Sequence, residues 1–114
     1  MNRAAAFAAA LLLGGCATQT RLYSWGSYEE LIYSAYSNPG NMPAERQVET
    51  LEQDFQRARA ANQRLPPGWH AHLGFLYYEL GKQDQARQEL QTEKAEFPES
   101  TVFVDRLLAN LAKS

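Results

Sequence analysis

Helix breakers cut this chain into short segments, and between them apolar residues recur three and four apart. The breaks are Asn38-Pro39-Gly40-Asn41, Pro66-Pro67-Gly68, Gly81 and Pro98. No run alternates with period two over a useful length, as a half-buried strand would require. Such a pattern can bury its apolar residues only by packing amphipathic helices on one another. The expected fold class is all-α, a small stack of helical hairpins with about five helices.

Each segment carries its own stripe. The first helix is expected over Tyr28 to Tyr36, with Leu31, Ile32, Ala35 and Tyr36 on its apolar side. Ser27 and Glu30 have the spacing of a capping box at its start. Pro43 suits the first turn of a second helix, where its missing N–H costs nothing. Val48, Leu51, Phe55 and Ala58 line one face of that helix, which should end near Arg64. The third helix begins near Trp69 and buries Leu73, Leu76, Tyr77 and Leu80; Gly81 is its expected left-handed cap. The fourth, about Gln83 to Phe97, sets Ala86, Leu90 and Phe97 on one side, with Glu93 and Lys94 along that stripe or beside it. Pro98 stops it. Ser100 can cap a fifth helix whose buried row is Phe103, Leu107, Leu108 and Leu111.

The first residues read differently. Met1-Asn2-Arg3 is a short positive start, and Ala4 to Leu13 is an apolar run of about ten residues, too short to span a bilayer. It ends in Leu13-Gly14-Gly15-Cys16, which resembles the lipobox of bacterial lipoproteins. That resemblance implies a signal peptide at 1–15, a lipidated Cys16 with a tether over 16–22, and a helical domain over 23–114. Each methylene buried in the bilayer adds about 0.8 kcal/mol, so several acyl chains on Cys16 anchor firmly. Cys16 is the single cysteine, so a lipid there leaves no thiol for a disulfide. Ala17 rather than Asp follows it, which favours the outer membrane with the domain facing the periplasm. Loss of Arg3 leaves ten Lys and Arg against 13 Asp and Glu. A net charge near −3 argues against a nucleic-acid partner, and so does the compartment. The covalent lipid is the one prosthetic group expected, with no other cofactor.

Residues 67–100 form one unit. Leu73-Gly74 with Tyr77, then Ala86, Leu90 and Pro98, resembles the tetratricopeptide repeat. Gly74 and Ala86 are small where two antiparallel helices approach, Tyr77 and Leu90 fill the space between helix pairs, and Pro98 closes the second helix. Trp69 stands one place earlier than the usual tryptophan, with His70 at its site. No second Leu-Gly pair lies one repeat length upstream, so the helices at 28–36 and 45–64 would form a degenerate pair. One unit cannot bury both its faces, so that pair and the last helix must cover it.

Nearly all of residues 22–110 resembles a small bacterial lipoprotein family of unknown function, domain-of-unknown-function family 4810. The marks are Tyr23-Ser24-Trp25-Gly26-Ser27-Tyr28-Glu29, Leu31, Tyr33, Pro66-Pro67-Gly68, Leu73-Gly74, Glu93-Lys94 and Phe97-Pro98-Glu99-Ser100. The resemblance implies work beside two other envelope lipoproteins, one of them similar to the curli secretion channel, in an outer-membrane assembly or export system.

No catalytic constellation stands out. His70 and His72 are two apart, which on a helix points them about 200° apart and keeps them from sharing a metal, and Glu79 does not repair the geometry. The pair reads as surface or half-buried. There is no nucleophile elbow, phosphate-cradling glycine loop or zinc-protease helix. Glu29-Glu30 read as first-turn acids favoured by the helix dipole. Arg57, Arg59 and Arg64 read as a basic cluster on a solvated face of the second helix. The candidate partner-binding residues are the aromatic start, Tyr23, Trp25, Tyr28 and Tyr33, with Tyr36 nearby; the same rings could instead close the bundle. The leading expectation is a non-catalytic scaffold or assembly factor that grips an envelope protein or extended segment. The alternative is a module binding peptidoglycan or peptide. An enzyme would need a deep pocket with convergent polar groups.

Overall fold

The structure, a computed structural model, describes residues 21–113. The leader expected at 1–15, Cys16 and most of the tether expected at 16–22 lie outside the described residues. Five α-helices follow in order: α1 Tyr28–Ser37, α2 Ala44–Ala60, α3 Trp69–Glu79, α4 Gln83–Glu96 and α5 Thr101–Lys113, with a 3-10 turn Pro98–Ser100 before the last. The domain is all-helical, as the stripes and breakers require; Tyr23 and Arg64 make one isolated parallel bridge.

α3 is the central element. It buries Trp69, His70, Ala71, Leu73, Gly74 and Leu76, so apolar contact surrounds it rather than running down one stripe. On one side it joins Leu31 of α1, Val48, Leu51 and Ala58 of α2, and Leu65. On the other, Ala71 meets Ala86 and Leu90 of α4 and Val104 and Leu111 of α5, and Tyr77 packs on both clusters. Each fully buried leucine or valine contributes about 1.5–3 kcal/mol.

Gly74 sets the distance between α3 and α4. A Cβ there would stand 3.1 Å from the Ala86 carbonyl oxygen and 3.1 Å from Leu90 Cγ. Gly74, Ala86 and Leu90 are all buried, so small side chains at the first two positions are what lets the helices approach this closely. α3 ends in a Schellman closure. Gly81 is left-handed at φ 75°, Lys82 N–H donates to Tyr77 O at 2.8 Å, and Gly81 N–H donates to Tyr78 O at 3.0 Å.

Several boundaries and caps differ from the sequence reading. α2 stops at Ala60, not near Arg64, because Asn62 takes φ 52° and closes the helix as Gly81 does: Gln63 N–H reaches Ala58 O at 2.9 Å. Asparagine is the residue after glycine that best tolerates this conformation. Pro43 stands just before α2 rather than inside its first turn. The Ser27–Glu30 capping box does not form, since the Ser27 side chain makes no cap hydrogen bond. Ser100 does not cap α5; its hydroxyl donates back to Phe97 O at 2.6 Å. In α5 the buried residues are Val104 and Leu111, while Phe103 is exposed. Positions 104, 107, 108 and 111 make a true three-four stripe, and 103 falls beside it.

Candidate interaction surfaces

Two buried acids organise the ends of the helices. Asp54 sits on the buried stripe of α2, and its Oδ2 accepts the Ser27 N–H at 2.7 Å, at the start of α1. Glu93 sits on the buried stripe of α4, and its carboxylate accepts Gly68 N–H at 2.7 Å and Ala71 N–H at 3.3 Å, at the start of α3. Each acid supplies from another helix the cap that the local sequence lacks. Gly26 (φ 48°) and Gly68 (φ 92°) allow the approach. A Cβ at Gly26 would lie 2.6 Å from the Asp54 carboxyl carbon, and one at Gly68 would lie 2.6 Å from the Tyr28 hydroxyl.

The aromatic start folds onto this framework. Ser24 N–H donates to Arg64 O at 2.7 Å. The Tyr23 ring meets Trp25 edge-on at 6.3 Å and Phe97 at 6.1 Å, and the Arg64 guanidinium lies over both Tyr23 and Phe97. Trp25 stacks on Tyr28, and burial raises the Tyr28 hydroxyl pKa, with the charge of Glu93 adding to it. Tyr23, Trp25 and Tyr28 are thus half-buried in one packed group, whereas Tyr33 stands apart and exposed, as does Tyr36. Arg57, Arg59 and Arg64 are all exposed, as a solvated basic face requires, but Arg64 lies outside α2. Arg57 lies 3.4 Å from Asp54, and Arg64, beyond the helix, stacks on the two rings.

The histidines diverge as their spacing requires, but not into a surface pair. His70 is buried, with Nδ1 2.7 Å from Glu89 and Nε2 3.5 Å from Glu96, and its ring meets Trp69 edge-on. α3 is central, so even the position away from its main stripe is covered. His72 faces Gln47 at 3.3 Å and the Tyr28 ring, and burial lowers its pKa. Among the described residues no group of three or more His, Cys, Asp or Glu is placed to hold a metal ion.

Clefts open between the helices: one of about 420 Å³ lies beside Arg59, Arg64 and Glu96, and three others adjoin the apolar residues of α3. Of these three, one, of about 470 Å³, has carboxylates of Glu49, Glu52 and Glu89 around an aromatic floor of Phe55, Trp69 and Tyr77. Tyr77 donates to Glu52 Oε1 at 2.8 Å. Burial first, then that hydrogen bond and the charges of Glu52 and Glu89, push its pKa well above the ordinary phenol value. Trp69 Nε1 is buried with no hydrogen-bond partner among the described residues, which costs about 1–3 kcal/mol. Burying an indole of this size returns about 4–6 kcal/mol, so the orphan donor is tolerated.

The other two clefts share Phe75. One, of about 380 Å³, lies between α1, the 38–43 loop and α3, and includes Leu31, Ala35, His72, Phe75 and Glu79. The second, of about 210 Å³, is apolar and lies between α3, α4 and α5, with Phe75, Tyr78, Leu90, Leu107 and Leu111 in its walls. Phe75 and Tyr78 are nearly half exposed on the central helix of the molecule. Neither residue belongs to the apolar face expected for this helix. The signal that could have found them is their i, i+3 spacing, which makes a second apolar row beside Leu73, Leu76, Tyr77 and Leu80. Of the positions expected to mark a repeat, Gly74, Ala86 and Leu90 meet at the α3–α4 contact, Leu73 is buried on the opposite side of α3 with Leu51 and Val48 of α2, Tyr77 bridges the two core clusters, and Pro98 begins the 3-10 turn after α4.

The fold and surfaces define a small all-helical domain with grooves between its helices. A family described as a domain of unknown function, DUF4810, matches residues 22–107, and the chain belongs to it. The matched span takes in the strap over 22–27 and α1 to α4, and ends inside α5. Neither the curated proteins nor the solved structures compared with the chain gave a match.

Proposed function

We propose that this chain is a lipoprotein of the outer membrane, anchored through acylated Cys16 with its domain in the periplasm, and that it serves as a non-catalytic interaction scaffold. The observation that carries this reading is the pair of clefts joined at Phe75. Two large aromatic side chains, Phe75 and Tyr78, stand half exposed over an apolar hollow, although they sit on the most buried helix of the bundle. Aromatic anchors beside a shallow apolar cleft suit a segment of another protein better than a small reacting molecule. The address rests on the positive start, short apolar run and lipobox of residues 1–16. We read α3, α4 and Pro98 as one tetratricopeptide-like unit, supported by the close approach at Gly74 and Ala86.

The partner proposed is a neighbouring envelope lipoprotein similar to the curli secretion channel. Anchoring in one membrane plane raises effective concentration, so a weak contact suffices. Photo-crosslinkers placed at Phe75 and at Tyr78 in the cell should capture that protein, and one at Gln85, exposed on α4, should not. Recovery of no envelope protein from either α3 position would sink the reading. Retention on purified peptidoglycan without any protein partner would favour a glycan-binding module instead.

A further inference from the structure

The end of the bundle that faces the membrane follows from where the chain enters it. We infer that the end bearing Leu22, Val102 and Phe103 lies against the lipid surface; this rests on the acylation of Cys16 proposed above. Six residue steps separate Cys16 from Leu22, and fully extended they reach about 20 Å. From Leu22 onward the chain is no leash. Ser24 is hydrogen-bonded to Arg64, the Tyr23 ring packs on Phe97, and Ser27 is held by Asp54. The helices alternate in direction, so the entry strap, the end of α2, the start of α3, the end of α4 and the start of α5 share one end of the molecule.

That end carries large apolar side chains in water. Leu22 is 71% exposed, Val102 69% and Phe103 57%. Val102 and Phe103 open α5 just beyond Phe97, on which the strap packs. A lipid interface within reach of the anchor would bury them. Charge contributes little, because Arg59 and Arg64 share a cleft with Glu96, and with Arg21 and Glu99 the balance is only about one positive charge. The contact should therefore persist at high salt. The opposite end, at Lys82, stands farther from the bilayer by roughly the 20 Å length of α4.

The test uses the full-length protein, acylated by its host and reconstituted into vesicles of phosphatidylethanolamine and phosphatidylglycerol. The lipid consumes the one native thiol, so Leu22→Cys, Val102→Cys, Phe103→Cys and Lys82→Cys each offer a single site for a fluorophore. Lipids carrying a nitroxide near the headgroup should quench the first three labels several-fold more than the label at position 82, in low and high salt alike. Equal quenching at all four sites, or stronger quenching at position 82, overturns the inference. Mass spectrometry of the same samples separates the two failures. Acylated Cys16 with equal quenching removes the orientation alone, whereas an unmodified Cys16 behind an intact leader removes both the orientation and the anchor.

Discussion

At the residue scale, the fold turns on two acids that interrupt apolar stripes. Asp54 lies between Leu51 and Ala58, and Glu93 between Leu90 and Phe97, at positions where a helix of this kind would carry leucine. The anomaly at Glu93 is legible in the sequence, but its cause is not, because the N–H groups it caps stand at the start of α3, 25 and 22 residues away. Ser27 looked like a local cap for the same reason in reverse: the sequence shows the nearby serine and hides the distant carboxylate. Glu93→Ala leaves the Gly68 and Ala71 donors unpaired in a buried site, and should lower stability by about 2–4 kcal/mol in denaturant unfolding. His72 adds a pH dependence whose sign is fixed by its surroundings. Burial lowers its pKa below the ordinary 6.5, so just below 6.5 the unfolded chain takes up the proton more readily than the folded one. Stability then rises with pH through that window and is lost as pH falls below it. In His72→Gln the rise in Tm between about pH 5 and pH 7 should be shallower than in the parent.

At the element scale, most of what the sequence predicts is present, because three-four periodicity and glycine or proline punctuation are local properties. α4 starts where expected, α3 ends on Gly81, and α1 is lengthened by one residue only. The misses have local physical reasons too. α2 ended four residues early because Asn62 does what Gly81 does, and asparagine is a weaker signal of a left-handed turn. The α5 stripe keeps Leu107, Leu108 and Leu111 as expected and differs at its first member alone, where Phe103 is the larger apolar residue but Val104 is the one in register with the other three. The tightest test of element packing is the α3–α4 contact. Ala86 is fully buried with its carbonyl close to Gly74, so Ala86→Leu has nowhere to put three added carbons. Forcing the helices apart should cost about 1–3 kcal/mol, read as a lower denaturation midpoint. The same substitution at Gln85, exposed one position earlier, should change stability by no more than about 0.5 kcal/mol.

At the scale of the whole molecule, the separation between what folds the domain and what it presents was only half legible. Three of the four rings proposed as a partner surface, Tyr23, Trp25 and Tyr28, help to dock the entry strap, and this depends on Arg64 and Phe97, which no spacing rule connects to them. The surface aromatics that remain on α3 are Phe75 and Tyr78, over a cleft that exists only once α4 and α5 are in place. This division makes a variant with separable consequences. Phe75→Ser with Tyr78→Ser removes two half-exposed rings from the cleft without touching Leu73, Gly74 or Leu76, which hold α3 in the core. Each change forfeits only the buried half of a ring, so helix content by circular dichroism should be unchanged and stability should fall by about 1–3 kcal/mol in total. A contact built on those rings, in contrast, loses its anchors, and truncation of such anchors costs about 2 kcal/mol or more apiece. Copurification of the proposed envelope partner should then drop by well over tenfold while the proposed acylation at Cys16 and membrane attachment are unchanged. Undiminished copurification from a folded, anchored double variant would move the partner surface off α3, to the acid-rimmed cleft of Glu49, Glu52 and Glu89 or to Tyr33 on α1.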